Sequence, residues 1–167
     1  MNARKALSDQ KRVEVRIEHR RAIKILMRHW FDVIRSALIG MFTGTLPGAG
    51  GSIANILSYD QAKKAAKDDS QFGKGDPRGI IAPEASNNAV EGGALTPLMA
   101  LGIPGDITAA IMLGALLMHD IVPGPTFISD EPVLAYSIYI AFFLASFIML
   151  GMQSIVLRVF VLVTRIK

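Results

Sequence analysis

Gly44-Thr45-Leu46-Pro47-Gly48-Ala49-Gly50-Gly51-Ser52 and Leu101-Gly102-Ile103-Pro104-Gly105-Asp106 share an aliphatic-Pro-Gly core, and each interrupts an otherwise apolar run. Proline lacks the N–H that a helix interior needs, and glycine there costs about 1 kcal/mol relative to alanine, so neither run reads as a straight helix. The pattern is one of broken helices. The residues surrounding the two breaks decide what kind of protein carries them.

The surroundings are apolar and almost free of charge. Of the 167 residues 51% are hydrophobic, with 15 glycines and 8 methionines, too greasy and glycine-rich for an ordinary soluble domain. Ten of the 18 Lys and Arg lie in residues 1–35, whereas 36–59, 92–105, 107–118 and 133–157 contain no Asp, Glu, Lys or Arg. A bilayer imposes such segregation. Residues 133–157 would make a helix of roughly 37 Å, enough to cross a hydrocarbon core of about 30 Å with some tilt. The expected fold class is all-α: a polytopic membrane protein with broken or re-entrant helices.

Outward from the breaks, residues 1–35 read as a basic amphipathic helix on the cytoplasmic face of the membrane. Ile23, Leu26, Met27, Trp30 and Ile34 recur at helical spacing, with Arg20, Arg21, Lys24, Arg28 and Arg35 largely on other faces. A soluble linker helix is the competing reading. The first residues are polar and basic, without the apolar core of a signal peptide, so the N-terminus is expected in the cytoplasm. The membrane domain then covers 36–167. Residues 36–59 dip in and return as a re-entrant hairpin, because the loop 60–82 carries five Lys and Arg and the positive-inside rule keeps it cytoplasmic as well. Pro83 opens a short helix over 83–91, which Gly92-Gly93 ends. Residues 93–118 form one crossing made of two half-helices. Residues 119–132, with the Pro123-Gly124-Pro125 turn, form an external loop, and 133–157 return to Arg158, Arg165 and Lys167 inside.

Irregular backbone survives at membrane depth only where protein buries it or where it lines a wet cavity, so the breaks mark candidate sites. At each, the first N–H groups of the following half-helix lack intrahelical acceptors and carry the positive end of the helix dipole. They suit an anion, with Gly48, Gly50, Pro47, Pro104 and Gly105 letting it approach the backbone and Ser52, Thr45 or Thr108 adding hydroxyl donors. The competing reading is that the glycines only let helices pack closely. Glu84, Asn87, Asn88 and Glu91 share helical spacing, and the asparagines offer amide donors and acceptors to a carboxylate or to Na⁺. Equally, Glu84 complements a helix start and the asparagines cap a neighbour. Asp106 is either a cation ligand beside Glu84 or the N-cap of the second half-helix. His119-Asp120 reads as a solvated turn, and His19 and His29 have no chemical role.

Other functions lack their signatures. The glycine cluster has no Lys-Ser/Thr of a P-loop, Gly48-Ala49-Gly50 has no third glycine of a dinucleotide fingerprint, and no His-Glu-x-x-His occurs. The absence of cysteine removes thiolate nucleophiles and disulfides. Four acids interrupt the basic N-terminal segment and no DNA- or RNA-reading motif accompanies it, so no nucleic-acid partner is expected. Neither an enzyme nor a resident cofactor is expected.

The linked motifs Gly44-Thr45-Leu46-Pro47-Gly48-Ala49-Gly50-Gly51, Ser58-Tyr59, Phe72-Gly73-Lys74-Gly75, Ala82-Pro83-Glu84-Ala85-Ser86-Asn87-Asn88-Ala89, Leu101-Gly102-Ile103-Pro104-Gly105 and Pro123-Gly124-Pro125 resemble the large permease subunit of the tripartite tricarboxylate transporters over roughly residues 20–127. The resemblance implies half of an inverted- or related-repeat permease, matching the start of the second half. It implies cation-coupled, Na⁺-driven uptake of citrate-like carboxylates across a bacterial inner membrane, with the remaining permease half, a small membrane subunit and a periplasmic solute-binding protein as partners. Carried over residue by residue, it points to Pro47, Gly48, Gly50, Asn87, Asn88, Pro104 and Gly105 as the site. The chain departs from the pattern at Arg78, where an acid is usual, at Asp106, where a small hydroxyl residue is usual, and at Asp120, where glycine is usual. A truncated, non-transporting remnant or an interaction module of such a permease is the alternative.

Overall fold

The computed structural model describes residues 18–163, with side chains to 160. The part of the expected N-terminal helix before residue 18 lies outside the described residues, as do Arg165 and Lys167. Every regular element among the described residues is helical: α1 (His19–Arg28), α2 (Trp30–Gly44), α3 (Gly50–Lys64), α4 (Arg78–Leu101), α5 (Ile107–Met118), α6 (Phe127–Asp130) and α7 (Pro132–Val163).

The expected single helix through residue 35 is two. His29 leaves the helical region (φ −109°, ψ 28°), its N–H bonding back to Ile25 and Leu26 while its carbonyl opens α2 through Val33. Sequence periodicity continues across this joint and gives no warning of it. The boundary drawn at 35/36 therefore falls inside α2. No residue of α1 is buried, and Ile23, Met27 and Trp30 form an exposed apolar stripe among the described residues.

The organising contact is α2 on α4. Ser36, Gly40 and Gly44, spaced one turn apart, make a small-residue seam. A Cβ on Gly40 would overlap the Ser86 carbonyl and one on Gly44 the Val90 carbonyl, while Gly93 of α4 presses reciprocally on the Met41 carbonyl. As the residue numbers rise together along both helices, α2 and α4 run parallel, and α3 returns antiparallel, packing against both. At about 1.5 Å per residue the 15-residue helices α2 and α3 are each about 22 Å long, shorter than a hydrocarbon core.

This seam corrects the short helix expected over 83–91. α4 runs unbroken for 24 residues through Pro83 and Pro97, and neither Gly92 nor Gly93 has positive φ. Each proline costs one backbone hydrogen bond, but burial of Ala82, Ser86, Val90 and Gly93 against α2 and α3 holds the helix together. Gly93 is small for close approach and does not terminate the helix. α4 ends instead at Gly102, whose φ of +69° and N–H bond to the Leu98 carbonyl make a left-handed cap.

Beyond Gly102 the chain doubles back. A Cβ on Gly105 would meet Ala94, about two turns before the end of α4. The two half-helices of 93–118 are consequently not one interrupted line. A second core forms where Leu95, Leu98 and Met99 of α4 meet Ala109 of α5, Phe127 of α6 and Ala135 of α7. Residues 119–132, expected as an external loop, contribute to it: Pro123 is buried and its carbonyl lies 2.7 Å from where a Gly102 Cβ would stand.

The basic loop between α3 and α4 has its own small core of Ala62, Phe72 and Ala82. Tyr59 stacks edge-on against Phe72 at 5.6 Å, and the Arg78 guanidinium lies over the Phe72 ring at 5.1 Å from its centroid. Arg78 also pairs with Asp76 at 2.6 Å, which holds the Asp76 carboxyl below its ordinary range. The departure at Arg78 thus has a local partner. Pro132–Phe160, 29 residues within α7, is the one stretch among the described residues long and apolar enough to cross a membrane, and the described residues cover almost none of it.

Candidate functional site

The two Pro-Gly breaks meet. The Gly48 N–H donates to the Gly105 carbonyl at 3.1 Å, and Gly105 also packs against the Gly44 carbonyl and Ala94. Local sequence carries no distance between segments almost sixty residues apart; the small-residue seam sets the end of α2 level with Ala94, and the chain doubling back after Gly102 brings Gly105 to the same place.

The first break is the open one. Pro47 and Gly48 are exposed, and Gly48 (φ +79°) and Gly50 (φ +52°) take left-handed conformations with nothing near a would-be Cβ. Only glycine adopts such angles cheaply. α3 then begins without a side-chain cap. Its first amides, those of Gly50, Gly51 and Ser52, have no intrahelical acceptor, and the exposed Ser52 hydroxyl stands beside them.

The second break is closed. Gly105 is buried, and Asp106 in extended conformation caps α5 by accepting the Ala109 N–H on Oδ1 at 2.7 Å. Of the two readings of Asp106, the cap is the one the geometry contains. Glu84, which the sequence reading grouped with Asp106 as a cation ligand, is exposed and sits near the other end of α4, about 15 Å along the axis from the level of Ala94. The two carboxylates do not converge on one cation.

The asparagines separate. Asn87 joins the first break: its Oδ1 lies 2.7 Å from the position of a Gly51 Cβ and accepts from Asn55 Nδ2 at 3.5 Å. Asn88 turns to its own helix, donating to the Glu84 carbonyl at 2.9 Å. Asn55 is the residue the sequence reading missed. Its Oδ1 is buried with no partner among the described residues, an expensive state for an amide. An asparagine in a charge-free apolar run, one turn after the Gly50-Gly51 pair, was the available signal.

The structure therefore gathers Gly48, Gly50, Gly51, Ser52, Asn55 and Asn87 at one place, with Pro104 and Gly105 behind them as support. This arrangement offers helix-start amides, one hydroxyl and two side-chain amides, without a formal positive charge. Among the described residues no cluster of His, Asp and Glu could hold a metal ion.

A chain whose described residues form only helices, with one apolar helix of spanning length and two joined helix breaks, is by class a helical membrane protein. The family described as "Tripartite tricarboxylate transporter TctA family" matches residues 1–167, and the chain belongs to that family of multi-component membrane transporters. Two relatives from Agrobacterium vitis are similar. One, described as an uncharacterized 52.8 kDa protein in the TAR-I ttuC' 3' region, is 38% identical over 106 residues, 64% of this chain and 21% of the relative. The other, an uncharacterized protein in the TAR-II ttuC' 3' region, is 37% identical over 99 residues, 59% of this chain and 41% of the relative. The chain thus spans less than half the length of either relative. No solved structure matches it.

Proposed function

We propose that this chain supplies the first Pro-Gly break to the substrate path of a cation-coupled carboxylate importer in the bacterial inner membrane. The observation that carries the reading is the start of α3, where uncapped amides at Gly50, Gly51 and Ser52 stand beside Asn87 on a backbone kept open by two left-handed glycines. A helix start of this kind attracts a carboxylate through its dipole and unused N–H groups, so no buried arginine is required. Ser52 adds a donor, and the Asn55–Asn87 pair presents its amides to a second carboxyl or a hydroxyl of the same molecule. Tricarboxylates and related carboxylates are the substrate class, in keeping with the family description. The remaining permease half, a small membrane subunit and a periplasmic solute-binding protein complete the assembly, Na⁺ is the coupling ion, and the N-terminus is cytoplasmic.

The test is reconstitution with these partners and measurement of Na⁺-dependent uptake of labelled citrate. Ser52→Ala and Asn87→Ala should each raise KM about tenfold, the effect of one hydrogen bond to a charged group, with resistance to unfolding unchanged. Unchanged KM in both variants overturns the assignment. A remnant or interaction module would instead co-purify with related permeases and give no uptake with any partner set.

A further inference from the structure

We propose that α1 lies along the cytoplasmic leaflet as an arm that binds anionic phospholipid headgroups. Successive residues of a helix turn by about 100°, so Ile23, Ile25, Leu26 and Met27 gather on one side of α1 and Arg20, Arg21, Lys24 and Arg28 on the other. Viewed down the axis, Arg20 borders the apolar side beside Met27, and Arg21 borders it beside Ile25. All four cations are exposed, as are Ile23, Leu26 and Met27, and α1 contains no acid. The acids on either side of it are engaged: Glu18 stands 4.0 Å from Arg21, and Asp32 pairs with Arg35 at 2.6 Å. Among the described residues Arg20, Lys24 and Arg28 make no ion pair.

Chain continuity sets the depth of this helix. Arg28 lies about two turns before Ser36, where the charge-free run begins, and Trp30 between them exposes a ring suited to the headgroup level. His29, at φ −109° and ψ 28°, leaves the helical region, so α1 need not follow the axis of α2 into the bilayer. An anionic leaflet offers hydrocarbon to the apolar side, and the arginine stems at the two borders reach its phosphates. Lys24 and Arg28 face away from the stripe yet stay within about 10 Å of the phosphates, the reach of the leaflet's field at roughly 0.1 M salt. A protein laid over the stripe would meet neither of them. Charge felt at a distance is what sets a lipid surface apart from a protein cover. The inference rests on the membrane placement proposed above and is independent of the substrate site.

The chain has no cysteine, so one introduced residue carries a fluorophore at a single place. The experiment labels Met27→Cys in the full chain, in nanodiscs of phosphatidylcholine alone or mixed with phosphatidylglycerol of the same acyl chains, and reads quenching by acrylamide in the water. Phosphatidylglycerol should raise the ratio of shielded to quenched label by more than about tenfold. Arg28→Gln should lower that ratio about fivefold, the effect of one cation near an anionic surface. A label at Lys24→Cys, on the opposite face, should stay quenched in both lipids. One at Ile148→Cys, midway along α7, should be shielded in both and reports insertion separately from docking. Equal quenching at position 27 in the two lipids overturns the proposal, marking a solvated arm where it is strong and a protein cover where it is weak. So does shielding that Arg28→Gln and Arg20→Gln both leave untouched. A quenched label at position 148 would overturn the membrane placement itself, and this proposal with it.

Discussion

The break at 45–49 and the break at 102–106 start from the same aliphatic-Pro-Gly core, yet the first leaves its helix uncapped with its Pro-Gly exposed while the second buries its glycine and caps its helix. The difference lies in the residues on the C-terminal side of the glycine. After Gly48 come Ala49, Gly50 and Gly51, which have no side-chain acceptor to give, so the amides of α3 stay free. After Gly105 comes Asp106, whose carboxylate takes the Ala109 N–H and fills the place an anion would occupy. A Pro-Gly motif thus makes a helix start, and its next residues decide whether that start is a site or a joint.

The contrast can be broken most sharply at Gly105. Gly105→Ala should destabilise the chain by about 3 kcal/mol in reversible unfolding from mixed micelles, because its Cβ would overlap the Gly44 carbonyl and crowd Ala94. A loss below about 1 kcal/mol would mean the second break is as roomy as the first. Gly48→Ala meets no neighbour and loses only what its left-handed φ costs, about 1 kcal/mol, so it should remain folded and lose uptake. Asp106→Ala should cost about 1 kcal/mol and Asp106→Ser only a few tenths, since serine caps nearly as well. Equal loss in both variants would mean that the charge matters beyond capping. A small effect of the opposite sign is expected at Asp120, the one non-glycine residue with positive φ among those described (59°), in the turn that leads back to the second break. Asp120→Gly should raise stability by roughly 0.5 kcal/mol, seen as a higher unfolding midpoint.

Much of this was legible in the sequence. The interruption of 36–59 around Pro47 and its glycines follows from proline and glycine chemistry, and Asp106 has the residue type and position of a cap. The departure at Asp120 also has a physical reading, for that backbone angle is one where glycine costs nothing. The continuous α4 was not legible. Pro83, Pro97 and Gly92-Gly93 are local breakers, and only the seam against α2, which belongs to another part of the chain, outweighs them. The same limit hid the split between Asn87 and Asn88. Adjacent residues on a helix point about 100° apart, and which of them faces α3 depends on packing.

The hydrogen bond between Gly48 and Gly105 gives the two breaks a shared mechanics. A single backbone bond contributes about 1 kcal/mol net, far less than the seam holding α2 to α4, so it can part while the helices stay docked. It behaves as a clasp. Unfastening it releases one donor and one acceptor on facing sides of the same gap, ready-made partners for a guest that carries both an oxyanion and a hydroxyl.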